Sequence, residues 1–246
     1  MKSLLFPVIC LLMILGCKQN PSSDKEGDAK DSSSTQKPAI QNILEDTYNY
    51  KSFKEKDFVV LDLLWTLEDT IAIEIYFQPG NGVSVVKKED AFLYLTDERT
   101  YEKPSGAFKR EEINFYREIL NAYRSPFRLS DHRIMKASKE LALNNGTILD
   151  RSYKLIGDNE QILYLFPKTD LIKAIEIGDD PQKRYLVFEK HITVQRIPIS
   201  MSWNIYNDSI STEQPESKIE VKRISYPDEL AFNLEVPEKA RPILNN

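Results

Sequence analysis

The chain has 246 residues, with 33 Lys and Arg against 38 Asp and Glu, and a formal net charge of −5 at pH 7. Charges of both signs alternate along it, leaving no basic stripe for nucleic acid and no polybasic patch for anionic lipid. Eight glycines in the whole chain argue against phosphate-cradling loops and glycine-rich repeats alike.

The first segment is an address. Met1-Lys2-Ser3 precedes a mostly apolar run, residues 4–16, that ends at Cys17. The run is shorter than the roughly 20 residues a helix needs to span a bilayer, so with Lys2 before it residues 1–16 read as a cleaved secretory signal. Ile14-Leu15-Gly16-Cys17 resembles the bacterial lipobox. That resemblance implies that Cys17 receives a thioether-linked diacylglycerol, that the chain is cut before it, and that its amine is acylated by a fatty acid such as palmitate. At about 0.8 kcal/mol per buried methylene, two or three such chains hold a protein on a membrane. An ordinary secretory signal with an incidental Cys17 is the alternative, and Gly16-Cys17 at the end of the run favours lipidation. Cys10 leaves with the signal, so the mature chain has no internal disulfide and must rely on its core. The expected location is the bacterial cell envelope, lipid-anchored at the outer membrane, with either face open.

Residues 17–39 read as the acylated cysteine and a disordered tether. Beyond Cys17 this stretch has no aromatic and nothing more apolar than alanine, and its four Lys balance four acidic residues. It cannot bury enough surface to offset its ordering entropy. Fully extended, its 22 residues after the cysteine would reach about 75 Å, and as a coil about 26 Å. Cys17-Lys18-Gln19-Asn20 with Ser22-Ser23-Asp24 is similar to the tethers of spirochaetal surface lipoproteins, and Lys25-Glu26 to the export signals behind the acylated cysteine in Bacteroidota.

Residues 40–246 read as one folded body. Ile40, Ile43, Leu44 and Tyr48 predict a short amphipathic helix. Residues 58–65 form an almost continuous apolar run, as in a strand buried on both faces. Residues 70–77 alternate, with Ile71, Ile73, Ile75 and Phe77 on one side, and a turn at 78–82 leads into strands at 83–86 and 91–95. The period then changes. Residues 109–124 place Ile113, Tyr116, Leu120 and Tyr123 at helical spacing before Pro126. A second helix is predicted over 130–144, capped by Ser130, carrying Ile134, Ala137, Leu141 and Ala142, and stopped at Asn144-Asn145-Gly146. Strands return at 148–156, 161–166, 171–177, 185–197 and 199–206, and a closing hairpin is predicted from 218–225 and 229–236, after an exposed loop at 207–217. Strands, two helices, then strands without βαβ alternation predict an α+β fold built mainly on antiparallel sheet.

No catalytic, metal or phosphate motif stands out, and no cofactor is expected. His132 and His191 are the two histidines, too few and too scattered for a zinc site; His191 is expected to point outward if Leu186, Phe188, Ile192 and Val194 face in. The turns at 158–160 and 178–180 are acidic without matching a calcium loop. Asp69-Thr70-Ile71 and Asp208-Ser209-Ile210 are similar to the Bacteroidota O-glycosylation motif, which marks Thr70 and Ser209 as acceptors. The twelve tyrosines leave room for an aromatic binding face.

Three functions follow, in order. The first is a non-enzymatic, membrane-anchored envelope lipoprotein that binds a protein partner or extracellular ligand. The second is a carrier of lipid or another apolar molecule, by analogy with outer-membrane lipoproteins whose half-barrel sheet, covered by helices, accepts lipoproteins. The third is a hydrolase of envelope glycan or peptide, which requires a cleft holding two carboxylates. Expressed in a bacterium, the full chain should lose residues 1–16 and gain the mass of two or three acyl chains, and Cys17→Ser should abolish both changes in intact-mass spectra.

Overall fold

The computed structural model describes residues 39–80, 82–129, 132–157, 160–178, 183–210 and 214–243. Cys17, the signal, nearly all of the tether and the proposed cap Ser130 lie outside them.

Two short helices open the body, α1 (Ala39–Thr47) and α2 (Tyr50–Lys54), with Leu44, Tyr48 and Phe53 buried. Five antiparallel strands follow: β1 (Val59–Thr66), β2 (Thr70–Phe77), β3 (Ser84–Lys88), β4 (Ala91–Leu95) and β5 (Thr100–Lys103). The helix α3 (Arg110–Arg124) comes next, at its predicted place. Glu112 closes its first turn by accepting a bond from the Lys109 amide at 2.8 Å, and Lys88 reaches the same carboxylate at 2.9 Å. Negative charge there also suits the helix dipole. A single 3-10 turn at Ser125–Phe127, with Pro126 inside it, ends the helix.

The second half is strands throughout: β6 (Arg133–Lys136), β7 (Leu141–Ala142), β8 (Ile148–Leu149), β9 (Ser152–Ile156), β10 (Gln161–Leu165), β11 (Ile172–Ile177), β12 (Arg184–Phe188), β13 (His191–Val194), β14 (Ile197–Ser200), β15 (Ser202–Asn207), β16 (Ser217–Ser225) and β17 (Arg241–Ile243). Thirteen of the strands form one sheet, in the order β17-β5-β4-β3-β2-β1-β16-β15-β12-β11-β10-β9-β6, with β13-β14 and β7-β8 as separate hairpins. Every pairing in the sheet is antiparallel, and β16 joins the halves by lying between β1 and β15.

Alternation sends one set of side chains to each face. Leu61 and Leu63 of β1, Ile73 and Ile75 of β2, Leu93 of β4, Leu155 of β9, Leu163 of β10, Leu186 of β12 and Trp203 of β15 all join one core with Tyr116, Ile119 and Tyr123 of α3. Strands β4 and β9 stand nine spacings apart, about 43 Å in a flat sheet, whereas α3 is only about 22 Å long. The sheet therefore curls round the helix. The opposite face carries two smaller clusters. Tyr164, Tyr185 and Val187 meet Leu141 and Leu149 of the β7-β8 hairpin, and Tyr76, Val85 and Tyr94 meet Leu234 of the C-terminal segment.

Two expected elements are absent. The helix at 130–144 is instead β6, paired with β9 through Ile134 opposite Leu155, followed by β7. Ser138 sits at φ 52°, which no helix interior accommodates, and Asn144-Asn145-Gly146 turns the β7-β8 hairpin rather than stopping a helix, with Gly146 at φ 79°. The apolar spacing was ambiguous; the open edge of β9 decided it. Residues 229–236 form no strand either. Their alternation of Leu230, Phe232, Leu234 and Val236 belongs to extended chain laid over the sheet, where Phe232 meets Tyr76 edge-on at 4.7 Å. The strand that does close this region is β17, paired with β5.

Ile175 is fully buried in the main core, whereas Met135 on edge strand β6 is 45% exposed. Ile175→Ala should lower unfolding free energy by about 2–5 kcal/mol in urea titrations, and Met135→Ala by less than about 0.5.

Candidate functional site

Two features of the concave side face outward chemistry. One is the aromatic interior beneath the short helices. Phe53 of α2 stacks on Phe127 of the 3-10 turn at 3.7 Å, Phe127 meets Tyr48 edge-on, and Trp203 packs between Tyr123 and Phe188. These rings leave an apolar gap of about 30 Å³ against β14 and His191, hardly more than one water. The cover is lightly fastened on one side: Lys56 reaches the side chain of Gln195, and Asn49 the carbonyl of Arg196, both at the tip of the β13-β14 hairpin.

The other feature is a polar cleft of about 530 Å³ at one end of the sheet. Its walls come from the C-terminal half of α3, the β4-β5 turn, and the β9-β10 side, so Leu95 and Gln161 line the same space from distant strands. Arg117 and Arg124, seven residues apart, share a helix face two turns long, and Arg128 follows past the 3-10 turn. Arg117 bonds the Thr100 hydroxyl and the Thr96 carbonyl. The Arg124 guanidinium lies 4.4 Å over the Phe77 ring and the residue is only 7% exposed. Burial, then repulsion from Arg128, pushes its pKa down to about 10, opposed by Asp97. Burial also lowers that of Arg117. Gly82 and Gly157 line the cleft because a Cβ on either would collide with Asp97 or with the His132 ring.

Asp97 is the one carboxylate among the described lining residues, so no pair for glycoside hydrolysis is assembled there. Among the described residues no group of three His, Cys, Asp or Glu side chains could hold a metal ion, and no helix is long and apolar enough to cross a membrane. Thr70 is exposed at the start of β2, and Ser209 is exposed in the loop after β15. The acidic turns at 158–160 and 178–180 fall mostly outside the described residues.

His191 corrects the outward expectation. It packs edge-on against Phe166 at 5.7 Å and Phe188 at 6.4 Å, while Ile192 is exposed. Residues 185–197 are two strands, not one: β12 lies in the large sheet and β13 in the separate β13-β14 hairpin, which brings His191 against Phe166 and Phe188.

No protein-family model matches the sequence, and comparison with curated proteins finds no match. Solved structures do resemble it. A DUF1329 family protein of Desulfovibrio piger superposes with a TM-score of 0.51 at 10% identity, covering 78% of this chain and 95% of that one. A LolA superfamily protein of Nitrosomonas europaea gives 0.51 at 9% identity, over 78% and 94%. The chain has a LolA-like fold. At such identity the likeness concerns architecture: the wide antiparallel sheet with its helices to one side. The curl of this sheet round α3 brings Leu95 and Gln161 to the same cleft.

Burial, then Lys173, holds the His191 pKa down at about 4 against its ordinary 6.5, with Glu189 opposing. Between those values the unfolded chain binds the extra proton, so stability falls as pH drops from about 6.5 to 4. Glu220, held at about 2 by Lys218 and Lys222, loses its contribution only below 4.5. The urea midpoint should therefore fall between pH 6.5 and 4.5, and His191→Gln should flatten that slope.

Proposed function

We propose that this protein is a lipid-anchored envelope lipoprotein that carries an apolar, lipid-like ligand against the concave face of its sheet. One observation carries the reading: a thirteen-stranded antiparallel sheet of LolA-like fold wraps a single long helix, and its open side is closed by short elements bearing Tyr48, Phe53 and Phe127. The sequence alone ranks a partner-binding lipoprotein first. The carrier is the reading that the LolA-like fold supports better.

The interior is packed, so a ligand must displace rings rather than fill a void. The covering side is built for that. Helices α1 and α2 are nine and five residues long, too short to persist without the packing beneath them. Stacked Phe53 and Phe127 can swing with α2 and the 3-10 turn while the ladders of the sheet stay intact. Cys17 supplies the membrane attachment, and the tether lets the body reach away from the bilayer. Exposed Thr70 and Ser209 are its proposed O-glycosylation acceptors.

The chain's two tryptophans, Trp65 and Trp203, both line the interior and report on it directly. A soluble form lacking residues 1–16 and carrying Cys17→Ser should retain lipid through purification, visible as adducts in native mass spectra. Delipidated protein should show saturable changes in tryptophan emission with dioctanoylglycerol at micromolar concentrations. Lys56→Ala, which loosens the cover, should speed the change. Spectra without adducts together with unchanged emission would overturn the carrier reading.

A further inference from the structure

We infer that the β13-β14 hairpin is a hinged flap over the aromatic interior, clamped at its root and latched at its tip. The hinge stands on the geometry of the hairpin; that its opening admits an apolar ligand rests on the carrier reading.

Strands β12 and β15 run on into β13 and β14 as one ribbon. Phe188 pairs with Trp203 in the large sheet and His191 with Ser200 in the hairpin, so the register passes unbroken through the residues between. The Glu189 amide donates to the Ser202 carbonyl at 2.8 Å, and the Met201 amide donates to the Lys190 carbonyl. What changes at this level is the support on either side. Below it, β11 pairs with β12 as far as Val187, and β16 pairs with β15 as far as Ser202. Above it the hairpin is a sheet of two strands, bordered by no other among the described residues. Pro198 of β14 has no amide hydrogen to offer a neighbour, which suits a strand that remains an edge.

The root is clamped. Lys173, only 7% exposed, donates to the Phe188 carbonyl at 2.8 Å and to Glu189 at 2.9 Å. The Val221 amide donates to the Met201 carbonyl at 3.0 Å, and the Trp203 indole to the Ser200 carbonyl at 3.2 Å. Past the root, packing and two contacts at the tip hold the hairpin. Ile197 and Ile199 continue the inward face that Trp203 begins, and both are buried in the main core. The gap of about 30 Å³ lies where Ile199 faces Tyr123 and Phe127. At the tip, Gln195 and Arg196 have φ of 49° and 68°, and they meet Asn49, itself at φ 49°, between α1 and α2. Lys56 donates to the Gln195 side chain, and Asn49 donates to the Arg196 carbonyl. Non-glycine residues occupy the left-handed region only where their surroundings demand it. Three at one exposed contact mark a chain shaped to bring tip and helices together.

A two-stranded hairpin has little stability of its own in water. Closure therefore depends on the latch and on the apolar face beneath it. Swinging about Lys190 and Met201 breaks no ladder of the large sheet. It uncovers the gap lined by Tyr123, Phe127 and Trp203 and leaves β12 and β15 paired.

Hydrogen exchange of the soluble form, followed by NMR, tests the hinge without any ligand. Amides bonded between β13 and β14 should exchange at least roughly tenfold faster than those bonded between β12 and β15. The soluble form has no cysteine, so Lys56→Cys with Gln195→Cys places a single pair at the latch. Joining that pair with a bis-maleimide whose spacer is a reducible disulfide should slow exchange in the hairpin about tenfold. It should slow the tryptophan response to dioctanoylglycerol by a similar factor. Cleaving the spacer should restore both rates, which rules out a misfolded variant. Hairpin exchange no faster than in β12 and β15, or unchanged by the crosslink, overturns the flap; a lipid response that persists then leaves the carrier standing. Hairpin exchange slowed by the crosslink, with no response to lipid in either state, supports the hinge and overturns the carrier.

Discussion

A thirteen-stranded sheet cannot stay flat when inward side chains on strands nine spacings apart must meet the same fifteen-residue helix. Burying those side chains stabilises by about 25 cal/mol per Å² of apolar surface, and that return is available only if the sheet bends. Antiparallel strands twist and coil in one hand by preference, so the bend follows their natural strain. Irregular pairing helps: the β1-β16 ladder slips between Asp62 and Leu63, and β10-β11 slips between Tyr164 and Leu165. Such slips sharpen local twist. One lies at the seam of the two halves and the other in the second half.

Curling the sheet exposes its outer face, and the chain covers the apolar part of that face with whatever lies at hand. The β7-β8 hairpin shields Tyr164 and Val187, and the extended C-terminal segment shields Tyr76 and Val85. Neither cover needs a helix. The outer face also tolerates polar pairs that the interior could not. Tyr164 donates to Glu176 at 2.7 Å, and Lys139 from beside the hairpin completes that group. The division of labour is clear from chemistry alone: rings and aliphatics toward α3, satisfied ion pairs beneath the outer covers.

Most of the sheet was legible in the sequence because alternation is a direct image of a two-faced element. Ile73, Ile75 and Phe77 announced β2, and α3 announced itself through Ile113, Tyr116, Leu120 and Tyr123. The misreadings share one cause, which is that side-chain period reports local backbone shape and not pairing. Residues 229–236 are extended and alternate, yet they lie across a face instead of entering a ladder. Residues 130–144 carry apolar groups at spacings compatible with a helix, yet β9 needed an edge partner and Ile134 supplied it. His191 was misplaced because residues 185–197 are two strands in different sheets rather than one. The cleft was illegible for a different reason. Arg117 and Arg124 stand at two-turn spacing on the polar side of α3, where charge ordinarily means solvent, and the sequence does not say that distant strands close over that side.

The helix α3 therefore carries both halves of the functional argument. Its apolar side organises the curve, and because the sheet must curl to reach it, the strand ends at the helix's C-terminal half are drawn together over its arginines. A flat sheet would leave Arg124 in water, with Asp97 and Gln161 far apart. Curvature buries Arg124 to 7% exposure and seats its guanidinium on the Phe77 ring, at the point where aromatic core gives way to polar cleft. The same packing that gathers the aromatic rings beneath the short helices sets Arg124 where they end. Core and cleft are thus consequences of one geometric requirement, and neither could move without unbending the sheet.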